Sequence, residues 1–200
     1  MEFSNLNIDE TYNYADYLTW QFTERVELFK GKVAKMFPAP TSLHQGIVTN
    51  LLLKSANFVF QKRKKDKHGC KIFTAPFDVR LPLFDKTENK EITTVVQPDI
   101  VVICDESKID ERGCLGAPDL VVEVLSKSTA KKDVGIKFNL YEEAGVKEYW
   151  IVSPGEHIIT AWLLDEKGKF SNAKMYSEDK TIISRAIEGL EIELIDVFEI

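Results

Sequence analysis

Cysteine is scarce: Cys70, Cys104 and Cys114 are the three in a chain of 200 residues. Their number is odd and none falls in a CxxC spacing. Neither a disulfide framework nor a zinc site is indicated, and buried reduced thiols are the expectation. The pair His68-x-Cys70 has no second pair to complete a metal set. Long apolar runs are missing too. No stretch approaches the roughly 18 consecutive apolar residues of a membrane-spanning helix. The opening residues Met1-Glu-Phe-Ser-Asn-Leu-Asn lack a basic segment followed by an apolar one. No secretory signal is read there, and a cytoplasmic location is the default expectation. Positive charge is also short, with 26 Lys and Arg against 32 Asp and Glu for a formal net charge of −6. That balance counts against a domain that coats phosphate by bulk charge. It does not count against an enzyme whose carboxylates hold a cation.

A hydrophobic content of 44% suits one domain spanning residues 1–200 with a sizeable core. No linker or low-complexity tract divides it. Residues 12–20 read as a short helix with Tyr14, Tyr17, Leu18 and Trp20 as apolar contacts. A hairpin follows, Arg25 to Phe29 and Val33 to Phe37, turning at Lys30-Gly31 and ended by Pro38 and Pro40. Residues 42–61 give the longest helix, with Leu43, Ile47, Leu51 and Phe58 at helical spacing. The Lys62-Arg-Lys-Lys-Asp-Lys-His run and Gly69 beyond it are chiefly helix-stop chemistry, with a phosphate-binding patch as the second reading.

Strands then dominate. Ile72–Ala75 with Phe77–Leu81 forms one long or broken strand, and Val95–Ile103 a second. Leu120–Leu125 is a third, apolar enough to be buried on both faces. A helix over 130–144 has Ser128 or Thr129 as cap and Gly145 as stop. Glu148–Val152 makes a fourth strand, and hairpins over His157–Tyr176 and an amphipathic tail through Phe198 finish the domain. This order predicts an α/β fold with a mixed central β-sheet flanked by helices and additional β-hairpins.

The chemistry concentrates in a repeated phrase, Pro98-Asp-Ile-Val-Val and Pro118-Asp-Leu-Val-Val. The second copy runs into Glu123, a charge within an apolar strand. A buried carboxylate there needs a partner or a cation. Asp119 lies four residues away on the same strand, about 13 Å at roughly 3.3 Å per residue, too far to share one ion. Asp99 sits on the preceding strand, and adjacent strands are about 4.8 Å apart, so Asp99 and Glu123 can converge. Asp119 is then a solvated or turn-capping residue. Two such carboxylates suit Mg2+, which would activate a water and neutralise charge on a phosphate oxygen. A lysine would add fixed positive charge. Asp133, Lys137 and Tyr141 recur every four residues on one helical face, where a surface Asp–Lys pair is the competing reading; Lys127 is the rival lysine. Glu27 shares a hairpin face with Arg25 and Phe29 and, taken alone, reads as solvated. His44, alone, reads as structural.

Taken together, Val96-Gln-Pro-Asp-Ile-Val-Val, Gly116-Ala-Pro-Asp-Leu-Val-Val-Glu-Val-Leu-Ser, Lys137 with Tyr141, and Gly145-Val-Lys-Glu-Tyr-Trp-Ile-Val resemble the Uma-two family of endonucleases. That family lies within the PD-(D/E)XK, restriction-endonuclease-like superfamily. Glu27-Leu-Phe-Lys-Gly, His44 and Ala75-Pro-Phe-Asp-Val-Arg-Leu extend the match over about residues 12–198. The resemblance implies Mg2+-dependent hydrolysis of phosphodiester bonds in DNA, with Mn2+ as a substitute ion and Asp99 and Glu123 as the metal-holding acids. It adds Glu27 and Lys137 to the catalytic set, makes Asp78 a supporting acid, and favours a homodimer for which the apolar tail could supply an interface. One departure is plain. The superfamily lysine two residues after the strand glutamate is Leu125 here, so the charge must come from elsewhere, with Lys137 best placed. The competing functions are a nuclease-fold module that binds nucleic acid or a protein without cutting, and a metal-dependent phosphohydrolase acting on nucleotides.

Overall fold

The computed structural model describes the chain apart from residues 1–2, 4–5, 37–39, 66–68, 83–85 and 127–131, and apart from the side chains of residues 132 and 133. The readings placed on Pro38, His68, Lys127, Ser128, Thr129 and the Asp133 side chain fall outside the described residues. In chain order the elements begin with α1 (Tyr14–Tyr17), β1 (Val26–Phe29), β2 (Lys32–Lys35), α2 (Ser42–Lys65), β3 (Lys71–Thr74), β4 (Val79–Arg80), β5 (Val95–Val96) and β6 (Ile100–Ile103). A 3-10 turn (Glu106–Lys108), β7 (Ile109–Asp110), β8 (Gly113–Leu115) and β9 (Leu120–Val124) follow. A π-helical segment (Lys132–Lys137) runs into α3 (Phe138–Ala144), and β10 (Glu148–Ser153), β11 (Ile158–Leu164), β12 (Phe170–Ser177), β13 (Thr181–Ile183), β14 (Glu191–Glu193) and α4 (Ile195–Phe198) complete the chain.

The α/β class is as the sequence predicts, but among the described residues the strands divide between two six-stranded sheets and a hairpin. One sheet runs β12-β11-β10-β9-β6-β3, with β9 and β10 parallel and the other pairs antiparallel. The other runs β2-β1-β5-β4-β8-β7. The stretch expected as one long or broken strand and the one expected as a single strand each change sheets midway. β3 lies in one sheet and β4 in the other; β5 and β6 part in the same way. The break between β5 and β6 falls at Gln97-Pro98, where proline supplies no amide to a ladder and directs the residue before it away from helix.

Alternation along the strands sets the layers. Ile100, Val102, Leu120, Val122 and Val124 face a core shared with Ile47, Leu51 and Val59 of α2 and with Val197 and Phe198 of α4. Val101, Ile103, Val121, Tyr149 and Ile151 face a second core, which Phe29, Val79 and Val96 of the other sheet enter together with Leu140 and Tyr141 of α3. Tyr14, Leu28, Ile92 and Val95 form a small third core on the far side of that sheet. Every residue of β9 is buried, as its apolar run predicts. Leu43, counted in the helical stripe from sequence, is exposed; the buried face of α2 runs through His44, Ile47, Val48, Leu51, Ser55 and Val59. Gly145 ends α3 in the left-handed region at φ +87°, as its position predicts.

One further expectation is corrected. Cys70 and Cys104 form a disulfide, and Cys114 alone is a buried free thiol. The β3–β6 register pairs Lys71 with Ile103, so the next step sets Cys70 opposite Cys104, which spacing along the chain could not reveal. Most of the apolar tail that could supply a homodimer interface packs within the chain, with Ile195 left exposed. Leu194, Val197 and Phe198 are buried, and Asn50 of α2 donates to the Val197 and Glu199 carbonyls at 3.2 Å. No described helix is long and apolar enough to cross a membrane.

Candidate active site

Glu123 occupies the middle of β9 on the face that looks toward α3. Alternation places it with Val121 and opposite to Val122 and Val124. Its Oε1 accepts a hydrogen bond from Lys137 Nζ at 2.8 Å and another from Tyr141 Oη at 2.7 Å. The helical spacing of four that suggested a shared face therefore brings both groups onto one oxygen. Lys137 comes from the last residue of the π-helical segment and Tyr141 from α3. A π-helical turn within a longer helix is uncommon and frequently falls at functional sites.

Glu27 joins the same cluster from the other sheet. It shares the face of Phe29, which enters the core between the sheets. Its Oε1 lies 3.0 Å from Lys137 Nζ and accepts the Gln97 backbone N–H at 3.0 Å. Glu27 is 3% exposed, so its reading as a solvated strand residue is overturned; the lysine across the core makes its burial tolerable. Lys137 is itself 4% exposed, which rules out the surface Asp–Lys pair.

Asp99 stands at the entrance to β6. The β6–β9 register pairs Ile100 with Val122, so one step further sets Asp99 opposite Glu123. Its Oδ2 accepts the Val124 backbone N–H at 2.7 Å, and His44 Nε2 from the first turn of α2 lies 3.3 Å from the same oxygen. Register thus sets the two residues opposite one another on neighbouring strands, while their side chains engage opposite layers: Glu123 takes Lys137 and Tyr141 on the α3 side, and Asp99 takes His44 of α2.

Burial raises the Tyr141 hydroxyl well above its ordinary range, and the Glu123 charge adds to the effect, so Tyr141 stays protonated and donates. Asp78 hydrogen-bonds Gln97 Nε2 at 2.9 Å and Tyr17 Oη at 3.2 Å. Burial raises its carboxyl pKa, opposed by those two hydrogen bonds. Gln97 carries the connection onward, since its backbone N–H holds Glu27. Its position beside the Val95–Val96 strand was the only sequence signal for this role; Tyr17 had none beyond hydrophobicity.

Asp119 is buried rather than solvated. Among the described residues it caps no turn of its own: Oδ2 accepts the Cys104 N–H from the end of the neighbouring strand at 2.7 Å, and Oδ1 accepts from Lys147 Nζ at 2.6 Å. Another buried acid was missed. Glu148 accepts from Trp150 Nε1, Ser184 Oγ and the Arg185 and Ala186 N–H groups at 2.7–2.9 Å. A charge at the head of an apolar strand was the available signal.

Among the described residues, no group of three or more His, Cys, Asp or Glu side chains is disposed to hold a metal ion. Asp99 and Glu123 do supply hard oxygen donors on opposed strands, and a carboxylate can accept at both oxygens. A two-carboxylate donor set fits Mg2+, which commonly keeps several waters.

These features define a nuclease-type α/β domain. The chain belongs to the Uma2 family, described as "Putative restriction endonuclease", which matches residues 14–197. Among solved structures it is similar to a chain from Anabaena variabilis described as a putative nuclease belonging to DUF820. The two share 19% identity and a TM-score of 0.68, over 94% of this chain and 97% of that one, a likeness of fold. No curated protein matches the sequence.

Proposed function

We propose that the chain is a Mg2+-dependent endonuclease that hydrolyses phosphodiester bonds in DNA, with Mn2+ able to substitute, on a PD-(D/E)XK-type scaffold. One observation carries this reading: Lys137 bridges Glu27 and Glu123 at 3.0 and 2.8 Å while the strand register sets Asp99 opposite Glu123. In this reading Asp99 and Glu123 hold the cation, which when bound supplies Lewis-acid neutralisation of phosphoryl charge and lowers the pKa of water. Tyr141 fixes the Glu123 carboxylate by donating to it. Lys137 holds a positive charge beside the two acids, where it stabilises charge developing on a phosphoryl oxygen. Glu27 orients that ammonium from the opposite sheet. The lysine absent at Leu125 is replaced in space by one that arrives fourteen residues after Glu123.

The test is nicking of supercoiled plasmid by the intact chain with Mg2+, Mn2+ or EDTA. Wild type should nick only with metal. Glu123→Gln and Asp99→Asn should each reduce the rate by about a hundredfold or more while the melting transition stays cooperative. Undiminished nicking by either variant overturns the site. Metal-independent binding without cleavage by wild type overturns the catalytic reading in favour of a binding module.

A further inference from the structure

Next to the cluster, a cavity of about 450 Å³ opens where β3, β4 and the β7–β8 hairpin meet. Its walls include Phe73, Phe77, Asp78, Gln97, Arg112 and Gly113. The volume falls within the range of sites that take a small planar ligand. The hairpin reaches this position only because residue 113 is glycine. Its φ is +126°, and a Cβ there would lie 2.1 Å from the Asp78 carbonyl oxygen. That same carbonyl accepts the Cys114 N–H at 2.9 Å, which locks the wall in place.

Two surfaces of this cavity point to a ligand of definite chemistry. The rings of Phe73 and Phe77 lie parallel, 4.2 Å between centroids and 6° between planes, and present flat π surface at the wall. Gln97, 8% exposed, supplies the polar element. Its Nε2 donates to the Asp78 carboxylate at 2.9 Å and lies 3.4 Å from Tyr17 Oη. Because a carboxylate accepts, this contact fixes which way the amide is turned. Gln97 Oε1 is therefore directed away from Asp78, and it is buried with no hydrogen-bond donor among the described residues. It is closed to solvent, so a ligand N–H satisfies it once the Gln97 side chain turns toward the cavity. At the rim, Asp110 is already paired with Arg80 at 2.6 Å, while the Glu111 and Arg112 side chains are both exposed.

We propose that this cavity receives one unstacked nucleobase of the nucleic-acid strand, its face against Phe77 and an N–H donated to Gln97 Oε1. The assignment rests on the nuclease reading for the identity of the strand. Gln97 joins the two places: its side chain lines the cavity, its backbone N–H holds Glu27, and Asp99 follows two residues later. A base seated there leaves its flanking phosphates beside the acidic cluster, with Arg112 at the rim to meet the backbone. Extruding a base from a paired stack takes a few kcal/mol and least where the base is unpaired, so the cavity selects single-stranded, bulged or mismatched positions. Stacking on an aromatic ring is tolerant of base identity.

The probe is a single-stranded DNA oligonucleotide carrying one central 2-aminopurine, titrated with the intact chain in EDTA and followed by fluorescence. Free 2-aminopurine nucleoside is the second arm. Wild type should raise the oligonucleotide's emission saturably, because extrusion relieves quenching by the neighbouring bases, and should bind the nucleoside at least tenfold more weakly. Phe77→Leu, which keeps the apolar volume, and Gln97→Met, which removes the acceptor, should each weaken the fluorescence titration about tenfold; melting curves establish that both variants fold. No rise in emission with wild type, or a rise unchanged in both folded variants, overturns the proposal. Nucleoside binding as tight as the oligonucleotide overturns the strand as ligand and makes the cavity a small-molecule site. Plasmid nicking by Glu123→Gln separates the two readings. Undiminished nicking alongside the wild-type rise in emission removes the metal cluster and leaves the base site standing, whereas normal loss of nicking without that rise does the reverse.

Discussion

Replacing Lys137 with methionine is the most direct probe of the cluster, because the side chain keeps its length and loses its charge. Lys137, Glu27 and Glu123 are each at most 5% exposed in their side chains, so neither carboxylate can turn to bulk water for compensation. Removing one partner of a buried ion pair costs about 3–5 kcal/mol, since the other is left charged in a poor solvent. Here one lysine serves two acids, which places the expectation toward the upper end. For a domain of about this size each kcal/mol moves the melting midpoint by about 2–4 °C, so a fall of roughly 6–20 °C is expected in Lys137→Met. Thermal and urea denaturation at pH 7 measure it. A double-mutant cycle with Glu123→Gln sharpens the point. In the methionine background the glutamine should be nearly neutral or stabilising, giving a coupling of about 0.5–3 kcal/mol. A midpoint shift under about 2 °C, or a cycle additive to within about 0.5 kcal/mol, refutes a shared buried ion cluster. In the nicking assay the same variant should lose turnover far more than DNA affinity.

Glu148→Ala should be among the most damaging single changes in the chain. It strands four donors around one buried carboxylate, at about 1–3 kcal/mol each before relaxation, so a loss of about 4 kcal/mol or more in urea denaturation is expected, with Glu148→Gln milder because one oxygen is kept. Asp78 should shape the acid limb of the stability profile. Burial raises its folded-state pKa above the unfolded value, so the folded state binds more protons in that window and stability attributable to this group falls as pH rises from about 4 through the folded value. Asp78→Asn should flatten that decline in urea titrations across acidic pH; an unchanged slope contradicts the assignment.

Glu123 was legible from sequence because a charge inside Leu-Val-Val-Glu-Val must be compensated, and Asp99 because strand spacing excluded Asp119. Lys137 and Tyr141 followed from a period of four. Glu27 was not legible on local grounds: a charged residue alternating with Arg25 and Phe29 resembles any hairpin edge, and its burial depends on a lysine 110 positions later in the chain. The Cys70–Cys104 pairing likewise depends on strand register, which composition does not specify. Strand count misled for one physical reason. The stretches through Pro76 and through Pro98 are apolar on both sides of a proline, the first reading as long or broken and the second as continuous, and each proline is the place where the chain leaves one sheet for the other. Gln97 gained its role only from that crossing.

That crossing has a further consequence. Glu27 belongs to one sheet, Glu123 to the other, and the ammonium of Lys137 is the rivet between them. Glu123, one of the two acids proposed to grip a cation, therefore also helps clasp the two halves of the domain together, and any reagent that draws on its charge draws on the same fastening. Chemistry and architecture here share one carboxylate, so evolution cannot tune the first without re-tensioning the second.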